Sequence, residues 1–367
     1  MKKSIIGLLA AIFTFGLVLN VNAEAITTDS SKKGTVDTNS ALVTNQAAIN
    51  ITNAPTTDVL VAYKILDTFY NASTNVFTYE FTSDFKAFLA TTKDYKNLTV
   101  EQYYALTSGD TTSGSTRTQS TLDKLVSLYA AYVKTHSVTT SATLTYQAGE
   151  GATGAVVPAG AYLVIPKSTI NVYAVMVGNV IPTANGNEWS INDATIKAKI
   201  SSASVTKSIG SIGHVDGNYS VGEEFSYFLV GTVPQYPTNA TNKTYTITDT
   251  VGAGITLSNI GSIVVKDGAT TLTNSNGVIK DAGGNTVATI TLSGQKITIV
   301  FDANYVQSTT VTVEYKAKLN NSAKVGSAGN LNSATLTYSN DPYGTGTNTT
   351  SAVNASAFTY GIEVLIY

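Results

Sequence analysis

Alternation of apolar and polar residues dominates the second half of the chain. Val311, Val313 and Tyr315 alternate with polar residues, and this period of two predicts a β-strand with one buried face. Segments of this kind recur at short intervals between residues 204 and 366, separated by Gly, Asn and Asp turns, without a convincing helical pattern. The pattern predicts a β-sandwich over residues 201–367.

The first half of the chain mixes strands with short helical patterns. Apolar positions that recur with a period of 3.6 predict a helix over residues 121–135. We expect a short helix with Ser83 as its N-cap, and another in which Thr99 and Gln102 have capping-box spacing. Residues 24 to about 50 are polar and weakly patterned, which predicts a leader or a first edge strand.

These patterns together predict a mainly β protein made of two tandem domains. The first domain, residues 24–200, is expected to carry the short helical insertions. The boundary is placed near residue 200, where helical patterns stop and the closely spaced strands begin.

The N-terminus has the pattern of a secretory signal peptide. Lys2 and Lys3 precede an apolar run over residues 5–21, and a small residue, Ala23, follows. We expect residues 1–23 to be removed before Glu24, although the run is nearly long enough to serve as a membrane anchor. After cleavage we expect no membrane contact, because no second long apolar segment follows.

Composition narrows the class of protein. An exported chain without cysteine indicates a bacterial cell surface rather than eukaryotic secretion. Charged residues are 13% of the chain, the net charge is −2 and no basic block occurs, so we expect no nucleic-acid partner. The two histidines, His136 and His214, lie in no metal-ligand pattern, and no phosphate loop or nucleophile elbow occurs. We therefore expect no cofactor, no metal and no enzyme with turnover.

Three polar residues lie in register with core positions on three separate strands. Lys207 alternates with Val205 and Ile209, Asp249 alternates with Tyr245 and Ile247, and Asn332 alternates with Ala334 and Leu336. Each residue alone has an ordinary explanation: the lysine can extend to solvent at the sheet end, the aspartate can begin a turn, and the asparagine can cap a loop. A buried polar group is costly unless it is paired.

Considered together, the three residues suggest a self-modification. A lysine in an apolar core has a lowered pKa, so it can be a neutral, nucleophilic amine. A carboxyl group in the same core can stay protonated and assist proton transfer. Lys207 could then condense with Asn332, assisted by Asp249, and release ammonia. The product would be an intramolecular isopeptide bond, which would supply the robustness that disulfides supply elsewhere.

The chain resembles the isopeptide-forming fimbrial proteins, the backbone (shaft) pilins of Gram-positive bacteria. The segments "AYKILD", "YEFTSDFKAFL" and "PAGAYLVIP" are similar to the family's N-terminal pilin domain, and "VTKSIG", "YTITDTVGAGITL", "VTVEYKAKLN" and "GNLNSATLTYSNDP" to its collagen-adhesin-like domain. The resemblance implies two tandem immunoglobulin-like β-sandwich domains. It also implies Lys207 as the lysine in the first strand of the second domain, Asp249 as the acid, and Asn332 at the opening of the Asn-x-Ala-x-Leu-x-Tyr strand. Asn330 is a competing acceptor, and Glu223 and Glu224 are competing acids.

Two departures from the family pattern concern assembly. Shaft pilins carry a Tyr-Pro-Lys-type motif, and a sortase joins its lysine to the next subunit. Here Trp189 fits the tryptophan that lies upstream of the motif, but no Pro-Lys follows it. Lys197 and Lys199 could replace the motif lysine, or they could simply be solvent-facing lysines. The family also continues into a further domain and a Leu-Pro-x-Thr-Gly sorting signal. The printed sequence holds no such signal, so we expect either a shortened chain or attachment without sortase.

The sequence thus predicts a secreted structural subunit of a surface pilus or the cell wall, with other pilin subunits as its partners through sortase. The alternative is an adhesin that binds a host surface ligand, such as matrix or glycans. Tyr95, Tyr103 and Tyr104 could form an exposed binding patch for such a ligand, but their spacing also fits a helix core.

Overall fold

A computed structural model of the chain describes residues 33–35, 40–71, 73–74, 76–108, 119–185, 188–237 and 239–361. The expected signal peptide, residues 1–23, lies outside the described residues, as do the last six residues of the sequence. None of the helices within the described ranges is long and apolar enough to cross a membrane.

The elements are numbered in chain order. The helices are α1 (Ser83–Thr91), α2 (Val100–Ser108) and α3 (Gln119–Thr135). The strands up to residue 201 are β1 (Lys33–Thr35), β2 (Ser40–Leu42), β3 (Gln46–Thr52), β4 (Val59–Asn71), β5 (Val76–Phe81), β6 (Ala142–Gln147), β7 (Ala152–Pro158), β8 (Gly160–Ser168), β9 (Val172–Tyr173), β10 (Met176–Val180), β11 (Pro182–Asn185), β12 (Glu188–Ile191), β13 (Ala194–Lys197) and β14 (Ile200–Ser201). The later strands are β15 (Ser204–Ile209), β16 (Asp216–Asn218), β17 (Glu224–Thr232), β18 (Thr244–Val251), β19 (Ile255–Leu257), β20 (Val264–Asp267), β21 (Thr270–Thr271), β22 (Thr273–Ser275), β23 (Val278–Lys280), β24 (Thr286–Ser293), β25 (Lys296–Asp302), β26 (Thr310–Leu319), β27 (Asn330–Ser339), β28 (Thr347–Thr349) and β29 (Val353–Phe358).

The chain forms two compact units. The first comprises residues up to 200 together with 237–241, and the second comprises residues 201–236 and those from 242 onward. Both units are built mainly from strands, and the three α-helices among the described residues belong to the first unit. The prediction of a mainly β fold with a few helices in the first half is confirmed.

The first unit is organised around a large sheet with the strand order β10-β8-β4-β6-β7-β3-β13. Strand β4 is thirteen residues long and also pairs with β2 and β5. The apolar core of the first unit includes Trp189, whose ring lies 5.5 Å from that of Phe77 and 5.8 Å from that of Tyr70. A second aromatic cluster joins the helices to β5, because Phe85 of α1 packs on Phe81 and on Tyr129 of α3.

All three predicted helices are present, and the N-cap predicted for the first is wrong by one residue. The helix predicted over 121–135 is α3. The predicted capping box is formed, since Thr99 Oγ1 accepts a hydrogen bond from the Gln102 amide and Gln102 Oε1 accepts one from the Thr99 amide. Ser83 is not an N-cap: it is the first residue of α1, and the Thr82 hydroxyl caps the helix by accepting from the Phe85 amide at 3.3 Å.

The prediction for residues 24–50 is wrong where β3 lies. This strand pairs on one side with β7 and on the other with β13, so it is an interior strand rather than a leader or an edge. Ala47, Ile49 and Ile51 alternate along it and are fully buried. The alternation is present in the sequence as Ile49, Asn50 and Ile51, but the apolar Ala48 interrupts it after Ala47.

The second unit consists of two sheets that face each other. One has the order β15-β17-β26-β20-β21, with β19 also paired to β26. The other has the order β16-β29-β27-β18-β25-β24-β23-β22, with β28 also paired to β27. In β26 the predicted inward residues Val311, Val313 and Tyr315 are buried, and Ala317 and Leu319 continue the same buried face. The interior between the sheets is therefore formed by the alternate residues of each strand.

Candidate functional site

Lys207 points into the interior of the second unit. It lies in the middle of β15, with the buried residues Val205 and Ile209 on the same face. Its side chain has no solvent-accessible surface, so the lysine does not extend to solvent at the end of the sheet. The strand ends at Ile209, and the next residue, Gly210, has a φ of +73°, a left-handed conformation that glycine adopts without strain.

Asp249 and Asn332 project from the facing sheet. Strands β18 and β27 are antiparallel neighbours in which Asp249 pairs with Ala334 and Val251 pairs with Asn332. The two polar residues are thus diagonal neighbours on one face of the sheet. Both are fully buried. The three residues identified from the sequence therefore meet between the sheets, with Lys207 on one side and the other two on the opposite side.

The three side chains are joined through the hydroxyl of Tyr315. Lys207 Nζ lies 2.6 Å from Asp249 Oδ2 and 3.1 Å from the Tyr315 hydroxyl. The hydroxyl donates to Asp249 Oδ2 at 2.6 Å and accepts from Asn332 Nδ2, also at 2.6 Å. Tyr315 comes from β26, in the same sheet as Lys207, and completes a four-residue polar cluster in the sandwich core.

Burial of the cluster disfavours charge. The rings of Tyr227 and Tyr315 lie 4.8 and 5.4 Å from Lys207 Nζ, a distance at which a ring face attracts an ammonium group and so opposes the effect of burial in part. Burial lowers the pKa of the Lys207 amine, and the neighbouring Asp249 carboxyl opposes that shift less strongly. Burial also raises the pKa of the Tyr315 phenol well above its usual value, and the nearby carboxyl raises it further. The arrangement thus favours a neutral amine beside a protonated phenol.

Two oxygens of the cluster have no hydrogen-bond partner. They are Asp249 Oδ1 and Asn332 Oδ1, both buried. A buried acceptor without a donor is costly, and such groups are rare in folded proteins. A proton on the Asp249 carboxyl would provide one donor for these two acceptors. These two oxygens are therefore the positions at which the cluster can accept a further hydrogen-bond donor.

Sequence reasoning placed Tyr315 in the core but did not assign it to the site. The signal that could have found it is the register between strands. Lys207 pairs with Leu229 on β17, and Tyr227 pairs with Tyr315 on β26, so the tyrosine lies close to the lysine on the same face. That register cannot be read from the alternation of a single strand, which gives the face but not the position along the neighbour.

The competing residues lie in other surroundings. Asn330 is buried on the same strand as Asn332, but its side chain is occupied elsewhere. Its Nδ2 donates to the backbone carbonyls of Lys324 and Ala357, and its Oδ1 accepts from the backbone amide of Lys324. Glu223 and Glu224 are exposed, and the carboxyl group of Glu223 accepts from the Ser220 amide. None of these three is brought to Lys207 by a hydrogen bond in the described structure.

The lysines and tyrosines that the sequence suggested for assembly or binding lie in the first unit. Lys197, at the end of the edge strand β13, and Lys199 are both exposed. Tyr95 and Tyr103 are buried, which fits the helix-core interpretation rather than an exposed patch, and the side chain of Tyr104 lies outside the described ones. His136 is exposed, as is His214 of the second unit. Within the described residues, no group of three or more His, Cys, Asp or Glu side chains is placed to hold a metal ion.

Comparisons with known proteins agree with the resemblance noted in the sequence. No family model matches the chain. Over 152 residues, 40% of this chain and 28% of the relative, the sequence is 33% identical to the trypsin-resistant surface T6 protein of Streptococcus pyogenes serotype M6. The structure of the T6 backbone pilin of that serotype, described as modular and three-domain, matches with a TM-score of 0.63 at 21% identity.

The match to the T6 backbone pilin covers 86% of this chain and 64% of that protein, so this chain spans less than two thirds of it. The major pilin subunit of Bacillus cereus has a TM-score of 0.43 at 14% identity, over 85% of this chain and 69% of that chain. These similar proteins are structural pilin subunits rather than enzymes. The chain is thus a sequence relative of the T6 protein over part of its length, and it has the multi-domain β fold of a Gram-positive backbone pilin.

Proposed function

We propose that the chain is a structural subunit of a Gram-positive surface pilus, locked by an isopeptide bond between Lys207 and Asn332. The observation that carries the proposal is the buried cluster between the two sheets. It places an amine, a carboxyl group and a carboxamide together in a core from which water is excluded. A fibre subunit under load needs its sheets held together, and this bond would join one sheet to the other. Other pilin subunits are the partners that this function requires, and the cell surface is its location.

The proposed reaction begins from a neutral pair. The reaction requires Lys207 as a neutral amine and Asp249 as an acid; the two are in contact at 2.6 Å, and burial lowers the pKa of the Lys207 amine. The amine nitrogen attacks Cγ of Asn332 while the acid proton moves to the amide oxygen. Asp249 Oδ2 takes the excess proton from the attacking nitrogen. Loss of ammonia then restores the carbonyl group and leaves the new amide.

The bond would stabilise the second unit mainly by restricting the unfolded chain. It would close a loop from residue 207 to residue 332, a separation of 125 residues. By analogy with the chain-entropy model for disulfides, a loop of this length contributes about 5 kcal/mol to the free energy of unfolding. An amide cannot be reduced, so the stabilisation would persist where a disulfide would be lost. The protein has no cysteine with which to form one.

The intact mass of the folded protein tests the proposal. Formation of the bond releases ammonia, so the mass should be about 17 Da below the value for the mature sequence. Lys207→Ala should restore the full mass, as should Asn332→Ala. The matched control is Lys318→Ala, which removes an exposed lysine from the outer face of β26 and should keep the deficit. A wild-type protein of full mass would refute the proposal, as would a deficit that persists in Lys207→Ala.

Polymerisation is a separate part of the proposal. Lys197 and Lys199 are exposed near the end of the first unit and are the candidates for linkage to the next subunit by a sortase. The test supplies the sorting signal separately, as a labelled peptide that carries Leu-Pro-x-Thr-Gly. Incubation of the chain and this peptide with a class of sortase that builds pili should attach the peptide covalently to the chain. Loss of the attachment in one of the two single Lys→Ala variants would assign the linkage. Unchanged attachment in the double variant would reject both lysines and leave the internal bond untouched.

A further inference from the structure

We infer that Tyr315 is a further catalytic residue of the cross-linking reaction, and that its hydroxyl delivers the proton with which ammonia leaves Asn332. This inference rests on the proposed function of the cluster. It assigns a role to a residue outside the lysine, acid and asparagine set, and it follows from the position of one oxygen atom. The Tyr315 hydroxyl contacts the nucleophile, the acid and the leaving group at the same time.

The chemistry needs a donor at the leaving nitrogen. When Lys207 Nζ bonds to Cγ of Asn332, the tetrahedral intermediate can expel either nitrogen. An amide anion is a very poor leaving group, so Nδ2 must receive a proton before its bond to Cγ breaks. The carboxyl oxygen that takes the proton from the lysine, Asp249 Oδ2, is bonded to Lys207 and to Tyr315. A carrier is needed from that oxygen to Nδ2.

Tyr315 occupies that intermediate position. Its oxygen lies 2.6 Å from Asp249 Oδ2 and 2.6 Å from Asn332 Nδ2. In the intermediate, Nδ2 is no longer conjugated to a carbonyl group, so it gains a lone pair that can accept a hydrogen bond. The phenol proton then passes to Nδ2 while the proton on Asp249 Oδ2 passes to the phenol oxygen. The hydroxyl of the intermediate returns its proton to Asp249 Oδ1, the carbonyl group reforms, and ammonia leaves.

The protons balance over these steps. Lys207 loses one proton and ammonia gains one, while Asp249 and Tyr315 end as they began. The phenol need not exist as a free phenolate, which the raised pKa of Tyr315 would oppose, because its proton is replaced as it leaves. The side chain is buried, and its oxygen is the hydrogen-bond partner of Nδ2 in the structure. A relay through Tyr315 therefore replaces the water that would carry the proton in an open site.

The assigned direction of the hydrogen bonds supports the orientation of the Asn332 amide. A tyrosine hydroxyl has one proton, and that proton is donated to Asp249 Oδ2. The hydroxyl can then only accept from Asn332, so the group that faces it is the nitrogen Nδ2 and not the carbonyl oxygen. The future leaving group is thus already placed on the proton relay, and Oδ1 is left for the acid proton of Asp249.

The test compares cross-linking rates in Tyr315→Phe and wild type. The mature chain is made in a short pulse of cell-free synthesis, samples are quenched in acid at intervals, and the fraction with the ammonia deficit is measured by intact mass. Tyr315→Phe keeps the ring and removes the hydroxyl, so we expect the rate to fall about one hundredfold, the lower range of general acid catalysis. The matched control, Tyr245→Phe, removes another buried hydroxyl, which donates to the Thr232 carbonyl, and should keep the wild-type rate.

The outcomes separate this inference from the proposed function. A slow but complete reaction in Tyr315→Phe supports the relay. A wild-type rate in that variant overturns the relay and leaves the bond in place, whereas a wild type of full mass overturns both. If Tyr315→Phe does not fold, as circular dichroism would show, the wild-type rate in D₂O provides the second measurement. Transfer of several protons through the relay predicts slowing of about twofold or more, and an unchanged rate would overturn the inference.

Discussion

At the scale of single residues, the site depends on groups that would each destabilise the core alone. Lys207, Asp249 and Asn332 are buried between apolar strands. Lys207 and Asp249 are hydrogen-bonded to each other, and Asn332 is joined to Asp249 through the hydroxyl of Tyr315. Burying an isolated charge is expensive, whereas a paired and neutralised group costs far less. The cluster is therefore tolerated as a unit, and removal of one member should cost more than the loss of its own contacts.

Comparison of two unlinked variants tests this interdependence. Asp249→Asn and Asn332→Ala should both lack the bond, but the first also takes the carboxyl partner from Lys207. We expect Asp249→Asn to have a free energy of unfolding about 3 kcal/mol below that of Asn332→Ala, because it leaves a buried amine without its acid. Chemical denaturation gives the two values, and intact mass confirms that both are unlinked. Equal stability would show that the pair contributes nothing before the bond forms.

At the scale of elements, a strand or helix was predicted correctly where the spacing of residues within that one segment determines it. The capping box of α2, the length of α3 and the buried face of β26 could all be read from spacing. The N-cap of α1 was misplaced by one residue because Thr82 and Ser83 are both good caps and lie side by side. Strand β3 was missed because its place in the sheet depends on β7 and β13, which are distant in sequence.

The same limit applies to the site. The alternation of each strand identified three polar residues that face the core, since a face follows from parity alone. It could not identify Tyr315 as a fourth member, because an aromatic residue at an inward position has an ordinary packing role. Only the register between β17 and β26, and the way the two sheets face each other, bring its hydroxyl to the lysine and the amide. Tertiary contacts of this kind leave no local signature.

The capping box of α2 gives a prediction at this scale. Thr99→Ala removes the hydroxyl that accepts from the Gln102 amide, so the first turn of α2 loses one of its caps. We expect the free energy of unfolding of the first unit to fall by about 1 kcal/mol. Thr99→Ser keeps the hydroxyl and serves as the control, with little change. Thermal unfolding followed by circular dichroism measures both, and equal losses in the two variants would contradict the capping role.

The turn before β27 gives a second prediction. Gly329 has a φ of +61°, and a Cβ atom there would lie 2.7 Å from the ring of Phe358. Gly329→Ala should therefore destabilise the second unit by about 1 kcal/mol or more and disturb the start of the strand that carries Asn332. The control is Gly326→Ala, which also has a positive φ of 89° but nothing within 4 Å of the added atom. A loss in Gly329→Ala no larger than that in Gly326→Ala would assign the effect to backbone strain alone.

At the scale of the whole molecule, the bond would join the two sheets of the second unit and leave the first unit unlinked by this cluster. Stability in the second unit would then have two sources: ordinary packing, which depends on conditions, and a covalent constraint, which does not titrate. The two can be separated by a condition that weakens packing but leaves an amide intact. High pH is such a condition, because the core of the second unit holds many tyrosines.

Burial raises the pKa of Tyr227, Tyr236, Tyr245 and Tyr315 above its usual value. In the unfolded chain these phenols titrate near pH 10, so above that pH the native state binds more protons than the unfolded state, and stability falls as the pH rises. Above pH 10, each phenol that the fold keeps protonated lowers the free energy of unfolding by about 1.4 kcal/mol per pH unit, which is about 5–6 kcal/mol per pH unit for the four. The lowered pKa of Lys207 adds no slope here, because an unlinked Lys207 is neutral in both states above its usual value.

The cross-link contributes about 5 kcal/mol that does not depend on pH, so it should raise the midpoint of alkaline unfolding by about one pH unit. We therefore expect wild type to unfold about one pH unit above Asn332→Ala, with phenolate absorbance reporting the release of the buried tyrosines and circular dichroism reporting the loss of the sheets. Lys318→Ala, which keeps the cluster, should follow the wild type. Intact mass must show that wild type is linked and Asn332→Ala is not. If the two midpoints then coincide, the bond closes a loop that is already ordered in the unfolded chain, and it adds no stability to the fibre subunit.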